Sequence, residues 1–372
     1  MFSLLSSDRL PSFLLPFFVL QYPTQAPEHP DSFPNSDYFN VGKLDICFVF
    51  TLIAIMAVLR DALRLGVLEP FARWKLTRDL ERRRRERGLK KLVSSGNANE
   101  NGHVSHESGD EKAQLNGNGH ALTNGNGYCK TPYTRKELQQ MNRSVLRFAE
   151  QGWSVVYYSL QWCYGLYVYM SLPTRVLNPV DLWLNYPHIP LAGPFKFYYL
   201  TQTAFYLHQI LILNAEERRK DHVQMMMHHI ITVILMWTSY FTNFTRVGAL
   251  IMVLMDYCDI FLPLAKMLRY LKGNQLLTDA IFGWFLVSWF VTRHVLFLSV
   301  IRSTMFDAPK YISFEMSVEE GRYFTTTAYI LFCTLLLALE LMQCIWFWMI
   351  CRVAYRVLTG KGAADERSDD EE

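Results

Sequence analysis

The chain has 372 residues, 51% of them hydrophobic and 15% aromatic, and a formal net charge of only +3. Its apolar residues come in blocks near the ~20 residues that a helix needs to cross a hydrocarbon core of ~30 Å. That excludes a soluble globular enzyme and, because the basic residues flank the apolar blocks, a nucleic-acid-binding protein; the expected class is an all-α polytopic membrane protein.

From the N-terminus, Leu10–Leu20 is apolar but short and interrupted by Pro11 and Pro16. With no basic leading region or small-residue cleavage site, it suits an interfacial segment better than a signal peptide. About seven spans follow: Asp45–Ala62, Trp153–Leu172, Phe195–Leu213, His229–Thr245, Gly248–Met267, Ile281–Ile301 and Tyr323–Ile350. Arg60, Asp61 and Arg64 cut into the end of the first. Basic residues on short flanks mark the cytosolic side. They fall at Arg73 and Lys75, Arg82–Arg85, Arg218–Lys220, Lys266, Arg269, Lys272, Arg352, Arg356 and Lys361, while the alternate loops are basic-poor. The expected orientation is a lumenal N-terminus and a cytosolic C-terminus.

These features divide the chain into a lumenal segment 1–44, a first transmembrane helix 45–71, a basic and low-complexity cytosolic linker 72–144, a catalytic domain 145–355 and an acidic cytosolic tail 356–372. Within the linker, Ser94–Gly127 is rich in Asn, Gly and Ser and carries too little apolar surface to fold. Its His103, His106 and His120 are solvated rather than metal-binding. The basic run Arg82–Lys91 serves equally as a topology signal or a contact to anionic headgroups. In the tail, Ser368 precedes a run of acids and suits an acid-directed kinase; a plain solvated tail fits as well. Five of the seven cysteines lie inside apolar blocks, so no disulfide framework is expected.

Ionisable side chains at membrane depth are costly and mark functional sites by default. His228 and His229 open the fourth span. Asp256 and Asp259, three residues apart, share one face of the fifth. With His208 near the end of the third span, all five fall in the cytosolic half of the bilayer. Arg293 and His294 lie past the middle of the sixth. Glu340, midway along the last, reads as a helix-packing hydrogen bonder. Trp284, Trp289, Tyr157 and Tyr158 read from their positions as packing and interfacial anchors. Pairing of the aspartates with Arg293 would simply hold the bundle together. Alternatively, imidazole as nucleophile or base, oriented by carboxylates, suits acyl transfer. The residues by themselves stop at lipid acyl chemistry or proton-coupled transport. No internal repeat supports a carrier, and a di-iron hydroxylase would need more histidine clusters than His222, His228 and His229 supply.

The stretch Asn214–Tyr270 contains Glu216-Glu-Arg-Arg-Lys-Asp-His222, His228-His229-Ile-Ile-Thr232, Ser239-Tyr240, Thr245-Arg-Val-Gly248 and Met255-Asp256-Tyr-Cys-Asp259-Ile-Phe-Leu-Pro263. It resembles the Lag motif of ceramide synthases in the TLC-domain superfamily, and the fungal branch in particular. Ser288-Trp289-Phe290 with Arg293-His294 resembles the same family, over about Val145 to Tyr355. The resemblance implies a helical barrel of six spans around an acyl cavity in the endoplasmic-reticulum membrane. It implies transfer of a fatty acyl group from acyl-CoA, as substrate and without cofactor or metal, to the amine of a long-chain sphingoid base. His228, His229, Asp256 and Asp259 would be catalytic, one imidazole taking the acyl group or acting only as base. His208, Trp289, Arg293 and His294 would contact substrate. The loop Arg302–Arg322 would influence acyl length. A small single-span accessory subunit and a dimer are further expectations of the resemblance. A non-enzymatic TLC-domain protein of lipid regulation or translocation is the alternative; it would not need both histidines and both aspartates.

Overall fold

The computed structural model describes residues 11–30, 32–99, 134–215 and 221–359. Ser368, the three histidines of the low-complexity segment and Glu216–Lys220 of the motif lie outside the described residues.

The molecule is an all-α polytopic membrane protein. After a short α1 (Leu15–Phe18), α2 (Asp45–Leu63) runs through a π-helical stretch, Arg64–Leu68, into α3 (Glu69–Asn99). The charges expected to cut the first span do not stop the helix, because Arg64 reaches Glu69 (3.3 Å) along it. α3 also enters the segment expected to be unstructured, as far as Asn99. α4 (Arg135–Met170) opens with a capping box between Thr134 and Glu137. Its first half pairs with α3 through Ala72, Leu76, Val145 and Phe148, and through Arg84–Glu137 (2.5 Å). Much of the expected linker is therefore one helical hairpin.

α5 (Gly193–Ala215), α6 (His222–Phe241), α7 (Thr245–Asp259) and α8 (Phe261–Tyr270) follow. Pro263 explains the break after α7: it lacks an N–H and its ring crowds the carbonyl four residues back, that of Asp259. α9 (Gln275–Trp289) passes through a π-helical turn, Phe290–Leu296, into α10 (Phe297–Phe306); α11 (Ala308–Tyr311) and α12 (Thr326–Leu358) complete the helices. Among the described residues, four helical stretches are long and apolar enough to cross a membrane: Asp45–Arg87, Thr245–Tyr270, Gln275–Phe306 and Thr326–Leu358. The other three expected spans are helices too, but α4 and α5 are more polar, and they turn Gln161, Gln202, Thr203 and His208 inward.

Beyond the helices, β1 (Pro23–Thr24), β2 (Tyr38–Phe39) and β3 (Leu191–Ala192) form a small antiparallel sheet, and β4 (Glu315–Ser317) and β5 (Arg322–Phe324) a hairpin. The sheet joins the N-terminal segment to the start of α5, and a buried ion pair locks that joint. Lys196 Nζ lies 2.7 Å from Asp45 Oδ1, both side chains almost wholly inaccessible. Lys196 also donates to the Gln21 and Asn40 carbonyls (2.8 Å each), and Tyr240 donates to Asp45 (2.8 Å). The described residues up to 71 are thus integral to the helical body rather than a separate anchor. The hairpin caps the turn between α6 and α7: Asn243, at φ 63°, donates to the Gly321 carbonyl (2.8 Å). Asn tolerates that left-handed backbone better than most residues.

Replacing Lys196 with Met strands the buried Asp45 carboxylate without its counter-charge. We expect a loss of about 3–5 kcal/mol, read from thermal and denaturant unfolding in detergent; a melting curve like that of the wild type would refute the clamp. In the same cap, His188 is held down to about 3 by burial and by the Arg246 guanidinium. The unfolded chain therefore binds the proton first, and the stability His188 contributes, complete above its ordinary 6.5, drains away as pH falls toward 3. Melting temperature should drop between pH 7.5 and 5, and the drop should shrink in His188→Gln.

Candidate active site

An elongated cavity lies among α5, α6, α7, the π-helical turn with α10, and α12. α4 and α9 contribute no lining residue and buttress it from outside. Along α6 the lining runs from His228 to Ser239, about 16 Å at ~1.5 Å per residue. Met, Leu, Val and Ile side chains make most of the wall. One end carries His228, Tyr206, Arg293 and Gln343; the other is closed by Trp183, Phe244 and Phe324. Trp183 comes from the loop before α5 and donates to Ser303 Oγ (2.8 Å).

Arg293 organises the polar end. Its Nη2 donates to Asp259 Oδ1 (2.7 Å) and the Met255 carbonyl (3.0 Å), its Nη1 to Gln343 Oε1 (2.9 Å) and its Nε to Cys258 Sγ (3.0 Å). The guanidinium also sits 4.0 Å over the Trp289 ring. The π-helical turn makes this reach possible. Such turns insert a residue into the helical ladder and recur at functional sites; here Arg293 faces the cavity while its neighbour His294 turns toward α12.

The aspartates divide their partners. Asp259 pairs with Arg293, as the packing alternative anticipates. Asp256, fully buried, accepts from Gln202 Nε2 and from Tyr206 Oη (3.4 Å), and Tyr157 donates in turn to Gln202 (3.4 Å). Neither carboxylate hydrogen-bonds to an imidazole among the described residues, contrary to the expected orientation of histidine by aspartate. The link runs through Tyr206, whose ring centre is 5.9 Å from that of His229. His228 and His229 lie 5.4 Å apart by ring centres, and His228 meets the Trp346 ring at 5.1 Å. Only His228 of the pair lines the cavity; His229 is buried beside it. Because α6 starts at His222 and not at the histidine pair, both histidines sit about 9 Å inside the helix.

Of the remaining candidates, Trp289 supports Arg293 without lining the cavity. His294 Nδ1 lies 2.7 Å from Glu340 Oε1, and Cys344 donates to the same oxygen (3.7 Å). Among the described residues, these three are the group close enough to hold a metal ion. His208 is buried on the far side of α5 and does not reach the cavity. Two residues after Tyr206, it points about 200° away on a helix of 3.6 residues per turn. Gln202, Tyr206 and Gln343 went unnoticed in the sequence. Their signal was polarity inside apolar helices, with Gln202 and Tyr206 four apart on one face.

Arg293→Lys keeps the charge but replaces a planar fork with a point charge, leaving Gln343 Oε1 without a donor at a cost of about 1–3 kcal/mol. A double-mutant cycle with Gln343→Leu should return a coupling of at least ~1 kcal/mol in detergent unfolding; additive effects would show that the two do not act together.

The model of the TLC domain matches residues 147–352. The chain is 45% identical over 245 residues to a sphingosine N-acyltransferase of Schizosaccharomyces pombe, covering 66% of this chain and 62% of that protein. It is 36% identical over 268 residues to a ceramide synthase of Gibberella moniliformis (65% and 62%), and 34% identical over 224 residues to a ceramide synthase of Caenorhabditis elegans (60% and 61%). The chain spans about three fifths of the length of these curated relatives. Matched over more than half its length by the domain that contains the cavity, it belongs to the TLC-domain family.

Proposed function

We propose that the chain is an acyl-CoA-dependent N-acyltransferase of the ceramide synthase type, joining a fatty acyl group to the amine of a long-chain base. The observation that carries this reading is an apolar cavity with an imidazole, His228, at its polar end. Alkyl chains gain ~0.8 kcal/mol per buried CH₂, so the cavity would hold the acyl chain and set its thioester beside His228. The names of the relatives support the same substrates. We assign the His228 end to the cytosolic half of an endoplasmic-reticulum bilayer, within reach of a soluble CoA ester, and the Trp183 end to the lumen.

In this reading His228 acts on the thioester carbon or takes the proton of the attacking amine, and His229 stands behind it. Tyr206 connects that pair to Asp256. Arg293, clamped to Asp259, fixes the wall that faces the nucleophile. The test is purified full-length chain in detergent with palmitoyl-CoA and sphinganine. Thiol release should require the base and fall at least ~100-fold in His228→Ala. A mass shift on His228 in enzyme given acyl-CoA alone would mark an acyl-histidine intermediate, and its absence in active enzyme would mark direct transfer. No release from folded wild type would overturn the assignment in favour of a non-enzymatic TLC-domain protein.

A further inference from the structure

The cavity wall holds one polar group without a function so far. Six hydroxyl-bearing side chains line it: Tyr199, Tyr206, Thr232, Ser239, Thr304 and Tyr329. Five have partners. Tyr199 and Ser239 bond to each other, Tyr206 donates to Asp256, Thr304 to the Val300 carbonyl and Tyr329 to the Met305 carbonyl. Thr232 Oγ1 is buried with none. Thr201, away from the cavity lining, is likewise buried without a partner, although a helical threonine can return its hydroxyl to the carbonyl four residues back. Thr203, Thr238, Thr292 and Thr334 do so in this molecule, and Thr232, whose target would be the His228 carbonyl, does not. An orphaned hydroxyl carries a desolvation cost and calls for an explanation.

Its position supplies one. Thr232 is four residues after His228, one turn along the same face of α6. Helical Cα–Cβ bonds tilt toward the N-terminus, so the Thr232 side chain lies over the turn that carries His228. It stands where the polar end meets the apolar tunnel. A thioester with its tail in the tunnel and its reactive carbon at His228 presents its carbonyl oxygen at that junction. The bonds of Arg293, by contrast, run to fixed atoms of the wall.

We propose that Thr232 is the hydrogen-bond donor that holds the acyl carbonyl oxygen beside His228 and stabilises the charge it acquires during transfer. This rests on the acyltransferase reading above. When nitrogen attacks the thioester carbon, be it imidazole or amine, a C–N bond forms and the carbonyl π pair moves onto oxygen, which accepts from Thr232 Oγ–H without taking its proton. The oxyanion then collapses, the C–S bond breaks and the pair leaves with sulfur. In direct transfer the proton lost by the amine passes through imidazole to that thiolate, giving amide and free thiol. In the acyl-imidazole route the amine then attacks the acyl carbon, the bond from that carbon to imidazole breaks with its pair returning to nitrogen, and the amine's proton goes to the thiolate.

The experiment compares wild type, Thr232→Val and Thr232→Ser with palmitoyl-CoA and sphinganine. Val is isosteric and apolar, and it removes an unsatisfied group from the fold, so its melting temperature should equal or exceed that of wild type. Its kcat should fall by about 10²–10³-fold, the usual effect of deleting one oxyanion donor, while KM for the acyl-CoA changes little. Thr232→Ser should recover most of the rate. A fully active Thr232→Val beside active wild type overturns the assignment and leaves the transferase reading intact. A change confined to KM, or to selection between plain and 2-hydroxylated acyl chains, also overturns it, by placing the hydroxyl on another part of the substrate. Wild type that releases no thiol overturns both.

Discussion

Four of the bonds that shape the cavity start from one side chain. Arg293 holds the end of α7 through Met255, Cys258 and Asp259, and holds α12 through Gln343. A guanidinium in an apolar bundle is tolerable only if its donors are met and its charge is balanced. Satisfying it therefore fixes three helices relative to one another. The rest of the polar end depends on that frame: with α7 in register, Asp256 faces Gln202 and Tyr206 on α5, and His228 on α6 faces the space that remains.

The same economy governs the far end of the molecule. Lys196 and Asp45 are buried together, and the groups around them complete the set with backbone carbonyls and the Tyr240 hydroxyl. One cluster closes the bundle around the cavity, while the other ties the N-terminal segment and first helix to it. In a bilayer there is no water to take over an abandoned polar group. Each cluster therefore meets its buried charge from its own members, and among the hydroxyls that line the cavity Thr232 is the one left without a partner.

The membrane class, the helical content and the presence of two adjacent buried-helix histidines were legible from the chain. Apolar blocks of bilayer length state the class, and adjacent His228 and His229 in such a block are too costly to be incidental. The role of Asp259 was legible only as a choice between catalysis and pairing, and the geometry supports pairing with Arg293. The place of His208 was not legible, because span depth says nothing of which face of α5 a residue occupies. Continuity of α2 into α3 was also hidden: isolated charges resemble a helix end, yet the helix runs on through Arg64, which lies 3.3 Å from Glu69.

Composition and residue order by themselves determined that the chain must live in a membrane as helices, since block length and hydropathy are local properties of the chain. They also marked out the ionisable groups at membrane depth, because such a group is conspicuous in any fold. What only the tertiary structure decided is which of those groups meet. Asp256 accepts from Tyr206, whose ring packs beside His229, Glu340 bonds His294, and His228 alone of its pair opens on the cavity. Those partnerships depend on how one helix is rotated against the next, a quantity set by packing across distant parts of the chain and written in no local pattern.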